Sequence, residues 1–131
     1  MRSSAERQRI IAAAAALLLF AASALAASRP AAEQKRIDWL IEEVRNSRGV
    51  FIRNGEEYPA AKAVSHLKFK LLMAGKRVQT VRDFIEGVAS HSQETGKPYQ
   101  IRLPDRPARP MKDWLNERLA EFEKGASSVK R

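Results

Sequence analysis

Apolar side chains recur at helical spacing in four stretches of the chain and at two-residue spacing near its middle, which predicts a mixed fold. Ile37, Leu40, Ile41 and Val44 form one stripe of a helix over residues 31–46, ended by Arg48-Gly49. Trp39 lies nearly opposite that stripe, so it needs cover from another element or is an exposed contact residue. Residues 50–58 read as a β-hairpin. Asn54-Gly55 is the pair favoured in a two-residue type I′ turn, where both positions need positive φ. That turn sets Arg53 opposite Glu56 and Phe51 opposite Tyr58.

A second helix is expected over residues 60–74, with Gly75 as its stop. It is apolar on two sides: Ala63, Val64, Leu67 and Leu71 on one, Phe69, Leu72 and Met73 on the other. A helix of that kind is usually central, so this one is expected to be the most buried. Thr80-Val81-Arg82-Asp83 resembles a capping box and starts a third helix, to about Ser90. Gly87 on its flank invites close approach of a neighbour. Tyr99, Ile101 and Leu103 then alternate with polar residues, placing a strand over residues 98–103 that extends the hairpin. Pro104, Pro107 and Pro110 predict a stiff linker over 104–110. A last helix follows over 111–124, stopped by Gly125, with a frayed tail over 125–131. The expected fold class is α+β, about four helices on a two- or three-stranded antiparallel sheet in a single domain spanning residues 27–131.

The N-terminus changes the picture. Arg2, Arg7 and Arg9 precede an uncharged run over residues 10–22, which leads to Ala24-Leu25-Ala26. A basic start, an apolar centre and a small-x-small end make up a secretory signal peptide, with cleavage expected between Ala26 and Ala27. An uncleaved anchor is the competing reading, but alanine dominates the segment and drives insertion only weakly. The expected product is periplasmic or secreted. The chain has no cysteine, so disulfides, thiolate metal sites and a lipoprotein anchor are excluded, and no stable membrane anchor is expected after cleavage.

The chain carries 24 Lys+Arg against 15 Asp+Glu, a formal charge of +9. That surplus suits an anionic or cell-envelope partner, while export argues against nucleic acid. Candidate chemistry centres on His66 and Lys70, which share a helical face at i, i+4. Arg53, Lys97 and Tyr99 are expected to converge on them from the sheet and its loop, forming a binding surface for an anionic or glycan ligand. An alternative is a small hydrolase with His66 as general base and Ser92 as nucleophile. Neither serine beside a histidine has nucleophile-elbow glycines, and Ser65 and His66 project about 100° apart on a helix. His91 and Glu94, with His66, offer a metal trio, but the spacing is not that of a zinc site. No cofactor, metal or catalytic residue is expected. A third reading is a cationic protein acting at the membrane surface, against which stands the lack of one strongly basic amphipathic face.

Phe51-Ile52-Arg53-Asn54-Gly55, Ala63-Val64-Ser65-His66-Leu67 with Lys70-Leu71, Phe84-Ile85 with Val88-Ala89-Ser90, and Thr95-Gly96-Lys97-Pro98-Tyr99 together resemble the YfeK-like family of small exported bacterial proteins. The likeness covers roughly residues 33–103 and keeps both order and spacing; the proline-rich linker departs from it. The family is a domain of unknown function. The resemblance therefore implies export and a shared fold, and implies no mechanism.

Overall fold

A computed structural model of the protein describes residues 28–129; the signal-peptide reading and both cleavage candidates lie outside them. Helix α1 (Ala31–Asn46) buries Ile37, Leu40, Ile41 and Val44, and Ser47 closes its end by returning both its N–H and its hydroxyl to the Val44 carbonyl. The chain then enters β1 (Val50–Arg53) through Gly49. A Cβ on Gly49 would stand 3.0 Å from Ile101 Cγ1, so a side chain here would require the buried Ile101 to shift by a few tenths of an ångström.

β1 and β2 (Glu56–Pro59) pair in the expected register, Arg53 with Glu56 and Phe51 with Tyr58. Asn54 and Gly55 take φ of 52° and 79° in the turn. β3 (Gln100–Arg102) pairs with the other edge of β1, and its Ile101 is fully buried. A fourth strand extends the expected sheet. Part of the proline-rich linker returns as β4 (Arg109–Pro110), antiparallel to β3, giving the order β2-β1-β3-β4. Proline is tolerated there because β4 is an edge strand.

Helix α2 (Ala60–Ala74) corrects one expectation. It buries only Ala63, Val64 and Leu67, whereas Phe69, Leu72 and Met73 are 61%, 77% and 65% exposed. The central helix is α1, which packs against α2, α3 (Val81–Gly87) and α4 (Met111–Val129). α3 opens with the expected capping box: Asp83 N–H donates to Thr80 Oγ1, and Thr80 N–H to Asp83 Oδ2. It ends at Gly87 rather than Ser90, and nothing lies within 4 Å of a Cβ built on Gly87, so that glycine permits no close approach. α4 runs through Gly125 to Val129, where a stop and a frayed tail were expected. Its Phe122 covers Trp39 at 5.1 Å between ring centroids, which settles that tryptophan as covered. One apolar core joins all four helices to β1 and β3.

Candidate functional site

Strand alternation sends Tyr99 inward beside Ile101, and α2 crosses above them. Between helix and sheet opens a groove of about 260 Å³. Its walls are mainly apolar, from Phe51, Ile52, Ala63, Leu67 and Met111. Arg53, His66 and the two tyrosines, Tyr58 and Tyr99, bring the polar chemistry.

Lys70 stands one turn along α2 from His66, and its half-buried ammonium fills all three donor positions. It donates to the carbonyls of Val88 (2.6 Å) and His91 (3.0 Å) and to the Tyr99 hydroxyl (3.0 Å). The Tyr99 oxygen accepts from Lys70, so its proton is free for His66 Nε2, 3.3 Å away. Such a relay requires neutral His66 with its proton on Nδ1. Electrostatics agree: burial, then the charges of Arg53 and Lys70, hold His66 below the ordinary imidazole value. Burial and Arg53 likewise pull Lys70 down to about 8. Tyr99 is raised, chiefly by burial.

Arg53 is the exception to this satisfied network. Its buried Nε has no hydrogen-bond partner among the described residues. The Glu94 carboxylate nearest its Nη2 stands 4.0 Å away and is itself exposed. Tyr58, opposite Phe51, turns its hydroxyl to Glu56 Oε2 at 2.5 Å.

Of the five expected surface residues, Arg53, His66, Lys70 and Tyr99 come together. Lys70 reaches the group only through the Tyr99 hydroxyl and does not itself line the groove; Lys97 is exposed on the loop and does not line it either. The serines are engaged elsewhere. Ser92 is fully buried and accepts from Asn54 Nδ2 at 3.3 Å, while Ser65 returns its hydroxyl to the Ala61 carbonyl of its own helix. His91 Nδ1 meets the Ser90 hydroxyl at 2.8 Å, and no three His, Cys, Asp or Glu side chains come together as a metal group among the described residues. Sequence reasoning missed Asn54 as a tie: it also accepts from Thr95 Oγ1 at 2.6 Å, fastening the 92–97 loop to the hairpin tip beside the groove.

A family model described as a family of unknown function, DUF5329, matches residues 31–123, nearly all of the folded part just described. The chain belongs to that family. It is also 40% identical over 70 residues to the uncharacterized protein YfeK of Salmonella typhimurium; the match spans 53% of this chain and 58% of that protein. No solved structure matches the chain. The matched region of the family model holds every residue lining the groove, including Arg53, His66 and Tyr99, and also Lys70 behind Tyr99.

The relay has a pH signature. A histidine whose folded pKa lies below about 6.5 leaves the unfolded chain to take up its proton first as pH falls. Its contribution to stability is therefore whole at neutral pH, is lost as pH drops below about 6.5, and levels off once the folded histidine also titrates. Urea midpoints between pH 8 and pH 5 are expected to fall more for the wild type than for His66→Gln, whose amide oxygen still accepts from Tyr99. Parallel curves for the two proteins would refute the relay.

Proposed function

We propose that the chain is an exported, non-enzymatic binding or envelope-accessory protein. Its groove takes a small anionic ligand with an apolar or sugar body. The observation that carries the reading is the unpartnered Arg53 Nε in a mainly apolar groove. A buried donor without an acceptor costs about 1–3 kcal/mol, which a carboxylate or phosphate on the ligand recovers. Burial is the larger cause of the lowered His66 pKa, and the charges of Arg53 and Lys70 add to it in the direction of a positive field suited to an anion. The volume suits one ring or a short chain, at or just under the usual range for small-molecule sites. Export rests on the basic, apolar and small-x-small pattern of residues 1–27.

A hydrolase with His66 as base has less support, because Ser65 donates its hydroxyl to the Ala61 carbonyl, Ser92 is fully buried, and neither is hydrogen-bonded to His66. In place of a nucleophile, His66 has a tyrosine hydroxyl that is already held by a lysine.

The test begins with expression of the full chain and recovery of periplasmic protein whose first residue is Ala27. Thermal melts of that protein then compare glucuronate, N-acetylmuramate and benzoate with neutral glucose, N-acetylglucosamine and benzyl alcohol. At least one acid is expected to raise the melting temperature where its neutral counterpart does not, since binding stabilises by RT ln(1 + [L]/Kd). Arg53→Gln is expected to weaken that acid by about tenfold or more. Equal shifts from acids and neutral compounds, or no loss in the variant, would count against the groove. Retention of the whole chain in the cytoplasm would count against export.

A further inference from the structure

The outer face of α2 carries an apolar ridge that serves neither the core nor the groove. Phe69, Leu72 and Met73 follow at i, i+3 and i+4, and all three are more than half exposed. Large apolar side chains gathered in this way on a small domain mark a contact surface. Basic residues frame them. Lys68 lies on the flank, and Lys76 and Arg77 occupy the 3-10 turn (Gly75–Arg77) just beyond the helix. Lys68 and Lys76 make no ion pair among the described residues, and Arg77 is spent on the carbonyls of Ala74 and Met73 without meeting a carboxylate. Two carboxylates also lie on the flanks, bonded to neutral donors rather than to these cations: Asp38 accepts from Gln34 Nε2, and Asp83 from the backbone of Gln79 and Thr80.

A second observation concerns where the chain enters. Ser28 and Arg29 lie in the same surface depression as Leu71, Leu72, Gly75 and Lys76. Arg29 Nε donates to the Val78 carbonyl at 2.7 Å, holding this entry point next to the 3-10 turn. The residues immediately before Ser28 are the uncharged run that starts at Ile10. Once that run is removed by the expected cleavage, the mature chain begins at this end of the domain, the end that presents the ridge. No helix among the described residues is long and apolar enough to cross a membrane, so any contact made by the domain is peripheral.

We infer that the Phe69–Leu72–Met73 ridge, with Lys68, Lys76 and Arg77, docks the domain on an anionic lipid bilayer. The three apolar side chains enter the headgroup boundary while the basic residues meet lipid phosphates. A bare protein partner fits less well, because Lys68, Lys76 and Arg77 beside the ridge outnumber the nearby Asp38 and Asp83, and none of the three cations meets a carboxylate among the described residues. Each basic residue near an anionic surface contributes about fivefold in partitioning, an effect that salt screens.

The experiment is co-sedimentation of the processed chain starting at Ala27, which retains the whole core from Ile37 to Leu119. It uses vesicles of phosphatidylglycerol and phosphatidylcholine, vesicles of pure phosphatidylcholine, and both low and high salt. Binding is expected on the anionic vesicles at low salt and is expected to drop at least tenfold in high salt. Phe69→Ser with Leu72→Ser and Met73→Ser, or Lys68→Glu with Lys76→Glu, is expected to lower it by a similar factor. The melting temperature should stay unchanged, because every substituted side chain is exposed. Equal binding to neutral vesicles, binding unaffected by both variants, or no binding at all overturns the proposal. So does a concentration-dependent dimer abolished by the triple serine variant, which assigns the ridge to a second copy of the chain. The groove reading stands or falls separately, since Arg53→Gln is expected to leave vesicle binding intact.

Discussion

Phe84→Ala is expected to cost the fold about 3–5 kcal/mol. Phe84 has no exposed surface and is among the largest of the fully buried side chains. It projects from α3, a helix of seven residues that is too short to hold itself and depends on its capping box and its packing on α1 and α4. A cavity of phenyl size beneath so short a helix has few neighbours able to close over it. A domain of this length is held by about 5–15 kcal/mol in total, so the variant is expected to be partly unfolded at 37 °C. Phe69→Ala on the exposed ridge is the matched control and should change stability by less than about 0.5 kcal/mol. Urea denaturation of the two variants checks both numbers. A loss under about 1 kcal/mol for Phe84→Ala would show that α3 lies outside the cooperative unit.

The two phenylalanines also show what was legible in the sequence. Periodicity reports which side chains are apolar and how they are spaced, and on that basis all four helices and three of the strands were placed. Where the signal was local it was read in full. Asn54-Gly55 admits few backbone conformations, so the hairpin and its register followed, as did the capping box at Thr80 and Asp83. Periodicity does not say what will cover an apolar face. The stripe of Phe69, Leu72 and Met73 looked like a second core face because the path of the later chain was not visible. α1 took the central position, and nothing described packs on that side of α2.

β4 was illegible for a different reason. Two residues of backbone pairing leave no side-chain pattern, and prolines argue for a linker unless the strand is known to be an edge. Gly125 looks like a stop in sequence, but a helix-ending glycine acts by taking a left-handed conformation, and Gly125 has no positive φ. Inside a helix it costs only about 1 kcal/mol, which its neighbours absorb. The site was legible to the same depth. Arg53, His66 and Tyr99 converge because strand alternation and helical spacing each aim one face inward. Lys97 sits in an irregular loop with no period to aim it, and it points to solvent. Ser92 resembles a nucleophile in sequence, which shows its hydroxyl but neither its full burial nor the Asn54 amide that donates to it.

Lys70→Ala is the second large effect, with an expected loss of about 2–4 kcal/mol. Its amine does something no periodicity revealed. The segment from Val88 to Tyr99 is largely irregular, with one isolated bridge between His91 and Pro98, and Lys70 pins it to α2 through two of its carbonyls and the Tyr99 hydroxyl. Hydrogen bonds to a charged donor are worth about 1.5–3 kcal/mol each, and removing the donor leaves two carbonyls without this partner. Opposing this is the burial of the charge beside Arg53, which brings Lys70 down to about 8. The two effects separate by pH. With a folded value near 8 and an unfolded value near 10.5, the unfolded chain holds the extra proton between them, so wild-type stability gains from this group as pH rises through that window. A variant without the amine lacks that gain, so its deficit relative to wild type is expected to widen from pH 7 to pH 10. Lys70→Met, which keeps most of the aliphatic stem, is expected to recover part of the loss at pH 7 and none of the pH dependence. Amide exchange should quicken across residues 88–99 in both variants, while the β1–β2 hairpin stays protected. If Lys70→Met is as stable as wild type at pH 7 and the 88–99 amides keep their protection, burial of the charge outweighs the three bonds, and the loop is held by Asn54 and Ser92 instead.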